Sequence, residues 1–257
     1  MKDQVVIVTG GGTGIGLAIA KRLGELGARV AIGSRNAENI EKGTAELRHA
    51  GQDPLAIQVD VRNPEQVDEM VQRVVRHFGR IDILVNNAAG NFVCRAEELS
   101  PNGWNAVIGI VLNGSFYCSR AVGRHMISRG GGGSIVSILA NYVWTGSAGT
   151  IHSAAAKAGV MSMTQTLAVE WAKHRIRVNA VAPGPIESAG AAKQLWDSPE
   201  AIQRITDMVP LERWGKPEEI ADAVAFLVAP GAAYITGEIL TVDGGAWLDR
   251  GTFGFTP

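Results

Sequence analysis

Residues 5–16 read VVIVTGGGTGIG, and this stretch decides the fold class. Its first four residues are apolar and predict a buried strand, and a helical period over residues 15–26 follows directly. Glycines between a strand and a helix let the backbone turn tightly and approach a pyrophosphate, while the helix N-terminus offers N–H groups to the phosphates. The stretch therefore predicts a dinucleotide-binding turn. The residues expected to contact the cofactor there are Gly10, Gly12, Thr13, Gly14, Ile15 and Gly16.

Outward from this stretch, short strand-like runs alternate with longer helix-like segments, as in repeated βαβ units around a parallel sheet. Further strands are predicted at residues 30–32, 55–59, 81–85, 135–139, 177–181 and 239–242. Further helices are predicted at residues 37–50, from residue 64, and at 101–129, 152–173 and 217–228. No low-complexity linker interrupts the pattern. We therefore predict a single α/β domain over residues 1–257, a Rossmann-like doubly wound parallel sheet with helices on both faces.

Composition restricts the partners and the compartment. The 24 basic and 25 acidic side chains give a net charge of −1, which predicts no broad basic surface for nucleic acid or an anionic membrane. The N-terminus lacks the order of a signal peptide, so we expect a cytoplasmic protein that binds no membrane. Cys94 and Cys118 are expected to be free thiols. The five histidines are scattered, so no metal site is predicted.

The choice of cofactor is predicted from the end of the second strand. NAD sites usually place a carboxylate there to bind both ribose hydroxyls, but this chain has Ser34 and Arg35. An arginine pairs with a 2′-phosphate that a carboxylate would repel, which predicts NADPH. A solvated surface arginine is the alternative. Asp60 and Val61, at the end of the third strand, are expected to flank the adenine.

Along essentially its whole length the chain resembles the short-chain dehydrogenase/reductase family. The resemblance rests on residues 9–16, 86–90, 183–186, 234–237 and 243–245, together with Asn113 and Lys157. It implies a sheet of about seven strands and a homotetramer packed through the helices that carry Asn113 and Lys157. It further implies that the cofactor is contacted by Asn87, Ala88, Lys157, Pro183, Gly184 and Ile186. Lys157 would hold the hydroxyls of the nicotinamide ribose.

The chain departs from the family at the catalytic tyrosine. Most members place a tyrosine four residues before the lysine, and that position is Ser153 here. Enoyl carrier-protein reductases place it seven residues before, and that position is Thr150. A serine that usually lies thirteen residues before the tyrosine would fall at Ala140. The usual machinery for alcohols and ketones is therefore absent in its normal register.

The chain has three tyrosines, which makes the search for a replacement short. Tyr234 belongs to a terminal segment that we interpret as structural. Tyr142 follows the fifth strand, and ligands react at the carboxyl ends of strands in an open α/β sheet. We predict Tyr142 as the catalytic tyrosine, with Tyr117, one turn after Asn113, as the alternative.

This altered register is similar to that of 2,4-dienoyl-CoA reductases, which carry a tyrosine after the fifth strand and then a serine and a lysine on the next helix. The resemblance implies NADPH-dependent reduction of a dienoyl-CoA in the β-oxidation of unsaturated fatty acids. Hydride transfer would leave a dienolate whose oxygen needs positioned donors, for which we predict Tyr142 and the Asn113 amide. Ser153 is expected to bond to the cofactor ribose or to Lys157. His152 is interpreted as a capping or packing residue, with acid/base catalysis as the alternative.

The acyl-CoA substrate is expected to contact aromatic and basic side chains near the carboxyl ends of the strands. Phe92, Trp104 and Trp144 are predicted to line an acyl channel, and Arg95 and Lys193 to meet the phosphates of coenzyme A. Ordinary packing is the alternative for each aromatic residue. Two other functions stay open at this point. One is a reductase of 3-oxoacyl thioesters, ketones or alcohols, and the other is a catalytically inactive NADP-binding sensor.

Overall fold

The computed structural model describes residues 1–187 and 199–248, and its centre is a parallel sheet. Its strands are β1 (Val5–Thr9), β2 (Arg29–Ser34), β3 (Leu55–Gln58), β4 (Ile83–Asn86), β5 (Gly133–Ile138), β6 (Ile176–Pro183) and β7 (Ile239–Val242). They pair in the order β3-β2-β1-β4-β5-β6-β7, and every pairing is parallel. The predicted doubly wound sheet of seven strands is confirmed. Its strand order reverses between β1 and β4, where such sheets bind their ligands.

Helices cover both faces of the sheet. They are α1 (Gly14–Glu25), α2 (Ala37–His49), α3 (Pro64–Phe78), α4 (Pro101–Ile108), α5 (Gly114–Arg129), α6 (Ile151–Trp171), α7 (Pro199–Asp207) and α8 (Pro217–Val228). A π-helical segment, Gly109–Asn113, joins α4 to α5. Short 3₁₀ turns occupy Ala96–Glu98, Asn141–Val143, Ala172–His174 and Pro230–Ala232.

The alternation of side chains along β1 explains the two layers. Val5 and Ile7 point to one face, where they join an apolar cluster with α3 and α5. Val6 and Val8 point to the other face and join a cluster with α1 and α8. Because both faces are covered, the strand is apolar throughout, as expected for a parallel sheet.

Capping residues explain where several helices begin. The side chain of Asn63 accepts a hydrogen bond from the Gln66 N–H at 2.9 Å, and Pro64 follows at the first helical position of α3. Ser100 caps α4 in the same way, accepting from the Gly103 N–H at 3.1 Å. The predicted start of both helices is confirmed because these local signals act within one turn of the chain.

The predicted continuous helix over residues 101–129 is interrupted by the π-helical segment. A π turn accommodates an additional residue within the helix, and such turns are frequent at functional sites. The stretch Pro101–Arg129 is long enough for a membrane-spanning helix, and its most apolar window of 18 residues has a mean hydropathy of 1.2, but half of that window is buried within this fold. Val122 and Met126 pack in the apolar cluster of α3 and β1, so the stretch has the position of a core helix.

At the amino edge of the sheet, Asp82 connects three elements. This buried carboxylate accepts the Val5 N–H at 3.0 Å and ion-pairs with Arg80 at 2.5 Å and with Arg129 at 2.8 Å. Burial alone would raise its pKa, but these hydrogen bonds outweigh burial and hold the pKa of Asp82 below its usual range. The network therefore ties β1, β4 and α5 together at the end opposite the carboxyl edge.

Candidate active site

A cleft of about 760 Å³ lies at the carboxyl edge of the sheet, where β1, β2, β3 and β4 end. Its walls are made by the residues that follow these strands. The residues predicted to bind the cofactor that line it are Gly10, Thr13, Gly14, Ile15, Gly16, Ser34, Arg35, Asp60, Val61, Asn87 and Ala88. The structure therefore brings most of the predicted nucleotide site together in one place.

The turn between β1 and α1 fits a pyrophosphate. Gly10 has a φ of 65° and Gly14 a φ of 52°, in the region that L side chains rarely adopt. Thr13 is the N-cap of α1, but its side chain makes no capping hydrogen bond. The N–H groups of the first turn therefore remain open to an anion in the cleft.

Gly12 lies outside this cleft, in contrast to its predicted role in cofactor binding. It is buried, and a Cβ on it would collide with the carbonyl group of Asn39 in α2. A Cβ on Gly43 would in turn collide with the Gly12 backbone. Gly12 thus permits close packing of the turn against α2, because neither helix nor turn has a side chain at the contact.

Thr9 and Asn87 join the first turn to the loop after β4. The Thr9 hydroxyl donates to the Val85 carbonyl oxygen at 3.2 Å and accepts the N–H groups of Asn87 at 3.0 Å and Ala88 at 3.1 Å. Asn87 Nδ2 donates to the Thr9 carbonyl oxygen at 3.0 Å. The side chain of Asn87 therefore supports the wall of the cleft. The contacts of Thr9 could not be predicted from the sequence, because they depend on the pairing of β1 with β4.

The adenosine end of the cleft carries an exposed positive charge. Arg35 is exposed at the rim, and Lys42, also on the rim, pairs with Glu38 at 2.7 Å. Asp60 is occupied by Arg62, which approaches it at 2.5 Å. This hydrogen bond, together with the charge of Arg35, lowers the pKa of Asp60 despite its partial burial. Lys42 and Asn39 were not predicted, although they lie one turn apart on the same face of α2.

Tyr142 and Ser153 meet beside the end of β5. Tyr142 lies in the 3₁₀ turn Asn141–Val143, and Ser153 lies in the first turn of α6. Their hydroxyl oxygens are 2.9 Å apart and share a hydrogen bond. Ser153 was expected to bond to the ribose or to Lys157, and the structure pairs it with Tyr142 instead. Burial, offset in part by this hydrogen bond, raises the pKa of Tyr142, so the phenol keeps its proton at neutral pH.

Lys157 follows Ser153 by one turn of α6. It is buried, with 8% of its surface exposed, and its Nζ donates to the carbonyl oxygen of Ile138 at the end of β5. Burial lowers the pKa of Lys157 to about 8. The ammonium form therefore still predominates at neutral pH, and the hydrogen bond holds it at the carboxyl edge.

Asn113 ends the π-helical segment. The segment packs against α6, since Leu112 contacts Gly159, two residues after Lys157. The Asn113 side chain is exposed and makes no hydrogen bond to any other residue that the structure describes. Its amide is therefore available to a ligand. Tyr117, the alternative tyrosine, packs against the apolar cluster of α3 and β1 and is tilted against Phe116 with ring centroids 5.7 Å apart.

Pro183 is the last residue of β6, and Gly184 and Ile186 follow it at the same edge. β6 pairs with β5 up to Val181, so these residues lie next to the strand end that precedes Tyr142. Gly184 contacts Asp243, and Ile186 is buried in the apolar cluster of α1 and α8. None of the three lines the 760 Å³ cleft. Their predicted contact with the nicotinamide stays a prediction.

The predicted acyl-channel residues are spread around this edge. Phe92 packs against His152 in a T-shaped contact with ring centroids 4.4 Å apart, and Trp104 is half-buried on α4. Trp144 is 41% exposed and contacts Trp247, which was not predicted, at 5.1 Å. Arg95 is exposed at the start of the Ala96–Glu98 turn, and Lys193 lies outside the described residues.

Several known proteins are similar to this chain. A family model described as Enoyl-(Acyl carrier protein) reductase matches residues 10–246. A Bacillus subtilis (strain 168) protein named "Probable 2,4-dienoyl-CoA reductase", (2E)-enoyl-CoA-producing, is 50% identical over 250 residues, which are 97% of this chain and 98% of the relative. The peroxisomal 2,4-dienoyl-CoA reductase of Danio rerio, (3E)-enoyl-CoA-producing, is 42% identical over 249 residues, or 96% of this chain and 83% of the relative.

A solved structure is similar over the same length. A short chain dehydrogenase from Bacillus anthracis superposes with a TM-score of 0.89 at 49% identity, and the match covers 96% of this chain and 98% of that one. The matched family range includes Tyr142, Ser153 and Lys157. The likeness therefore extends over the carboxyl edge of the sheet, with these three residues, as well as over the turn between β1 and α1.

Proposed function

Since this chain belongs to the short-chain dehydrogenase/reductase family, we propose that it is a 2,4-dienoyl-CoA reductase that uses NADPH. The observation that carries the proposal is the hydrogen bond between Tyr142 and Ser153, one turn before Lys157. Ser153 stands where most family members have their tyrosine, and the phenol here comes from the turn after β5 instead. The site thus retains a phenol and an ammonium group, but the phenol comes from a different segment of the chain.

The relatives support the substrate class. Two of them are named as 2,4-dienoyl-CoA reductases at 50% and 42% identity over nearly the whole chain. The family model's description names enoyl carrier-protein reductases, but Thr150 occupies the position where the resemblance expects their tyrosine. A conjugated dienoyl thioester is therefore a better substrate for this site than a carrier-protein-bound enoyl thioester.

In the proposed mechanism, the protein stabilises the charge that develops on the substrate. A bound nicotinamide cofactor would supply the hydride for the distal carbon of the diene, and negative charge would then develop on the thioester oxygen of the substrate as a dienolate. In the direction that we propose for the shared hydrogen bond, the Ser153 hydroxyl would donate to Tyr142 Oη, so that the Tyr142 proton would be directed to this oxygen. The Asn113 amide is the second donor. One such donor contributes roughly 3 kcal/mol to lowering the barrier, and protonation of a dienolate carbon completes the reduction.

Lys157 would hold the hydroxyls of the nicotinamide ribose. Its position is set by the Ile138 carbonyl oxygen, which orients the ammonium group before the cofactor binds. A buried cation also favours negative charge nearby, including that of the dienolate. The residue thus combines binding with electrostatic support, and Pro183 to Ile186 would border the nicotinamide on the β6 side.

NADPH is proposed over NADH because of the charge at the adenosine rim. Arg35 is exposed there, and its guanidinium group can pair with a 2′-phosphate. The carboxylates near it, Asp60 and Glu38, are each paired with another cation, Arg62 and Lys42. Little unpaired negative charge therefore opposes the phosphate at this rim.

The assembly and compartment are proposals as well. We propose a homotetramer packed through α5 and α6, because Phe116 on α5 and Val169 on α6 expose large apolar side chains, Val169 to 81%. Light scattering coupled to gel filtration measures the oligomer directly. We further propose a cytoplasmic enzyme of unsaturated fatty acid β-oxidation, in which the acyl chain lies against Phe92, Trp104 and Trp144 and coenzyme A meets Arg95.

The test compares substrates and two tyrosine variants. We expect wild-type protein to oxidise NADPH with a 2,4-dienoyl-CoA, and Tyr142→Phe to lose at least about a hundredfold in kcat while it still binds NADPH. Tyr117→Phe is the matched control and should retain wild-type turnover. Turnover of a 3-oxoacyl-CoA in place of the dienoyl-CoA would contradict the substrate class. NADPH binding without turnover of either substrate would favour an NADP-binding sensor.

A further inference from the structure

The first turn of α6 is capped in an unusual way. Thr150 is the N-cap residue, but its hydroxyl donates to the Ser147 carbonyl oxygen at 3.2 Å and makes no capping bond. The N–H groups of a first helical turn have no partner within the helix. Here the N–H of Ser153 donates to Nδ1 of His152 at 2.7 Å. His152 therefore accepts one of the first-turn N–H groups, as a capping side chain usually does.

This hydrogen bond requires a neutral imidazole with one particular tautomer. A ring nitrogen that accepts a hydrogen bond carries no proton, so Nδ1 is bare and the ring proton lies on Nε2. Burial lowers the pKa of His152, which favours the neutral ring. The side chain is 1% exposed, and its buried Nε2 has no hydrogen-bond partner among the described residues. The Phe92 ring packs against the imidazole in the T-shaped contact described above.

Ser153 transmits this arrangement to the phenol. Its N–H is held by His152, and its hydroxyl shares the 2.9 Å hydrogen bond with Tyr142. Rotation of the Ser153 backbone would move the Ser153 hydroxyl. The Tyr142 O–H would then no longer be held toward the substrate oxygen. We propose that His152 is a positioning residue, whose neutral imidazole fixes the Ser153 backbone so that the Ser153 hydroxyl orients Tyr142 toward the substrate oxygen. This inference rests on the proposed function of Tyr142.

The experiment uses two substitutions at His152. His152→Leu keeps an apolar side chain in the space but removes the acceptor, and we expect kcat to fall about tenfold, the effect of losing one hydrogen bond. The KM values for NADPH and dienoyl-CoA should stay within twofold of wild type, roughly the scatter expected for a residue without ligand contact. His152→Asn places an amide oxygen near the position of Nδ1, so it should recover most of the lost rate.

A double-mutant cycle separates positioning from general destabilisation. In a Ser153→Ala background the hydroxyl is absent, so His152→Leu should cause no further fall in kcat. An equal fall in both backgrounds, or a Leu variant with wild-type kcat, would overturn the inference. His77→Leu, an exposed histidine near the end of α3, is the control and should match wild type. Thermal melting of each variant identifies any loss of rate that follows unfolding.

The same measurements keep the two proposals distinguishable. If the proposed function is wrong, the wild-type protein will show no turnover of dienoyl-CoA, or Tyr142→Phe will show no loss of turnover relative to wild type. Failure of the inference would appear only at His152, with the large effect of Tyr142→Phe intact. If Tyr142→Phe and Ser153→Ala slow turnover but His152→Leu does not, the phenol acts without help from His152.

Discussion

Lys157 carries a positive charge that is sensitive to pH because the fold buries it. Burial lowers its pKa from 10.5 to about 8, so the ammonium form is lost as the pH rises above that value. We expect the Kd for NADPH to be lowest below about pH 8 and to rise about tenfold per pH unit above it, if binding requires the cation. Fluorescence titration of NADPH across this range measures the effect.

The control for Lys157 is its replacement by another cation. An arginine stays protonated throughout the range, so Lys157→Arg should bind NADPH with a Kd that does not rise above pH 8. A wild-type Kd for NADPH that stays constant up to about pH 10, near the pKa of a lysine in an unfolded chain, would contradict the expectation. The folded state gains stability over the same window, because the cost of burying the cation disappears as the lysine loses its proton.

We expect Arg35 to determine whether the cleft prefers NADPH or NADH. A hydrogen bond to a charged group contributes about 1.5–3 kcal/mol, so Arg35→Ala should weaken NADPH binding by about ten- to a hundredfold. NADH lacks the 2′-phosphate, and its binding should change little. Arg48→Ala, in the last turn of α2, the helix that follows Arg35, is the control. Equal losses for NADPH and NADH in the Arg35 variant would show that the arginine supports the cleft instead of reading the phosphate.

The sequence predicted much of the site at the scale of residues, and its failures share a cause. Tyr142 and Lys157 were identified because each lies at a recognisable offset from a strand or a motif. The partner of Ser153 could not be predicted, because it depends on how the turn after β5 folds back on α6. The packing of Gly12 against α2 could not be predicted for a similar reason, since the glycine run does not reveal which glycine faces α2 and which lines the cleft.

Elements were predicted where local signals set their ends. Residues 217–228 and 239–242 match α8 and β7, and Asn63 and Pro64 mark the start of α3. The π-helical segment gave no such signal, because α4 continues through it into α5 with no side-chain cap at either junction. Its position is set by the packing of Leu112 against Gly159 in α6 and of Gly109 against Arg62 in the loop after β3, which are contacts distant in sequence.

Two glycines at the ends of the π-helical segment give a prediction about this element. Gly109 and Gly114 both have ordinary helical dihedral angles, with φ near −60°. A Cβ on Gly114 would lie 2.6 Å from Val61, which lines the cofactor cleft, whereas a Cβ on Gly109 would meet only the flexible Arg62 side chain at 3.5 Å. Gly114→Ala should therefore displace Val61 and cost about 1–3 kcal/mol of stability.

The matched variant should behave in the opposite way. Alanine is favoured over glycine within a helix by roughly 0.5–1 kcal/mol, so Gly109→Ala should leave the protein unchanged or slightly more stable. Only Gly114→Ala should also raise the KM for NADPH. Urea denaturation and steady-state kinetics of both variants measure these effects. Equal stability of the two proteins would mean that Val61 moves aside without cost.

At the scale of the whole molecule, the two edges of the sheet have different tasks. The carboxyl edge holds the cleft, Tyr142 and Lys157, while the amino edge holds the Asp82 network. Seven strands separate these sets along their length, since each strand runs from one edge to the other. A change in the Asp82 network should therefore alter stability while leaving the kinetic constants of the folded enzyme unchanged.

Asp82→Asn tests this separation. It leaves the Arg80 and Arg129 side chains without their carboxylate, and breaking a buried ion pair costs about 3–5 kcal/mol. We expect that loss at neutral pH in urea denaturation, with the KM for NADPH unchanged. Glu38→Gln breaks the exposed pair with Lys42 and is the control, with an expected loss of at most about 0.5 kcal/mol.

The pH dependence of this loss identifies the carboxylate as its source. Because the pKa of Asp82 is lower in the folded protein than the unfolded value of about 4, its stabilising effect is present above that value. The effect is lost as the pH falls through the folded pKa, where Asp82 becomes protonated in both states. The difference in unfolding free energy between wild type and Asp82→Asn should therefore shrink steadily in acid. A difference that stays constant below about pH 4 would instead attribute the loss to packing around residue 82, independent of its charge.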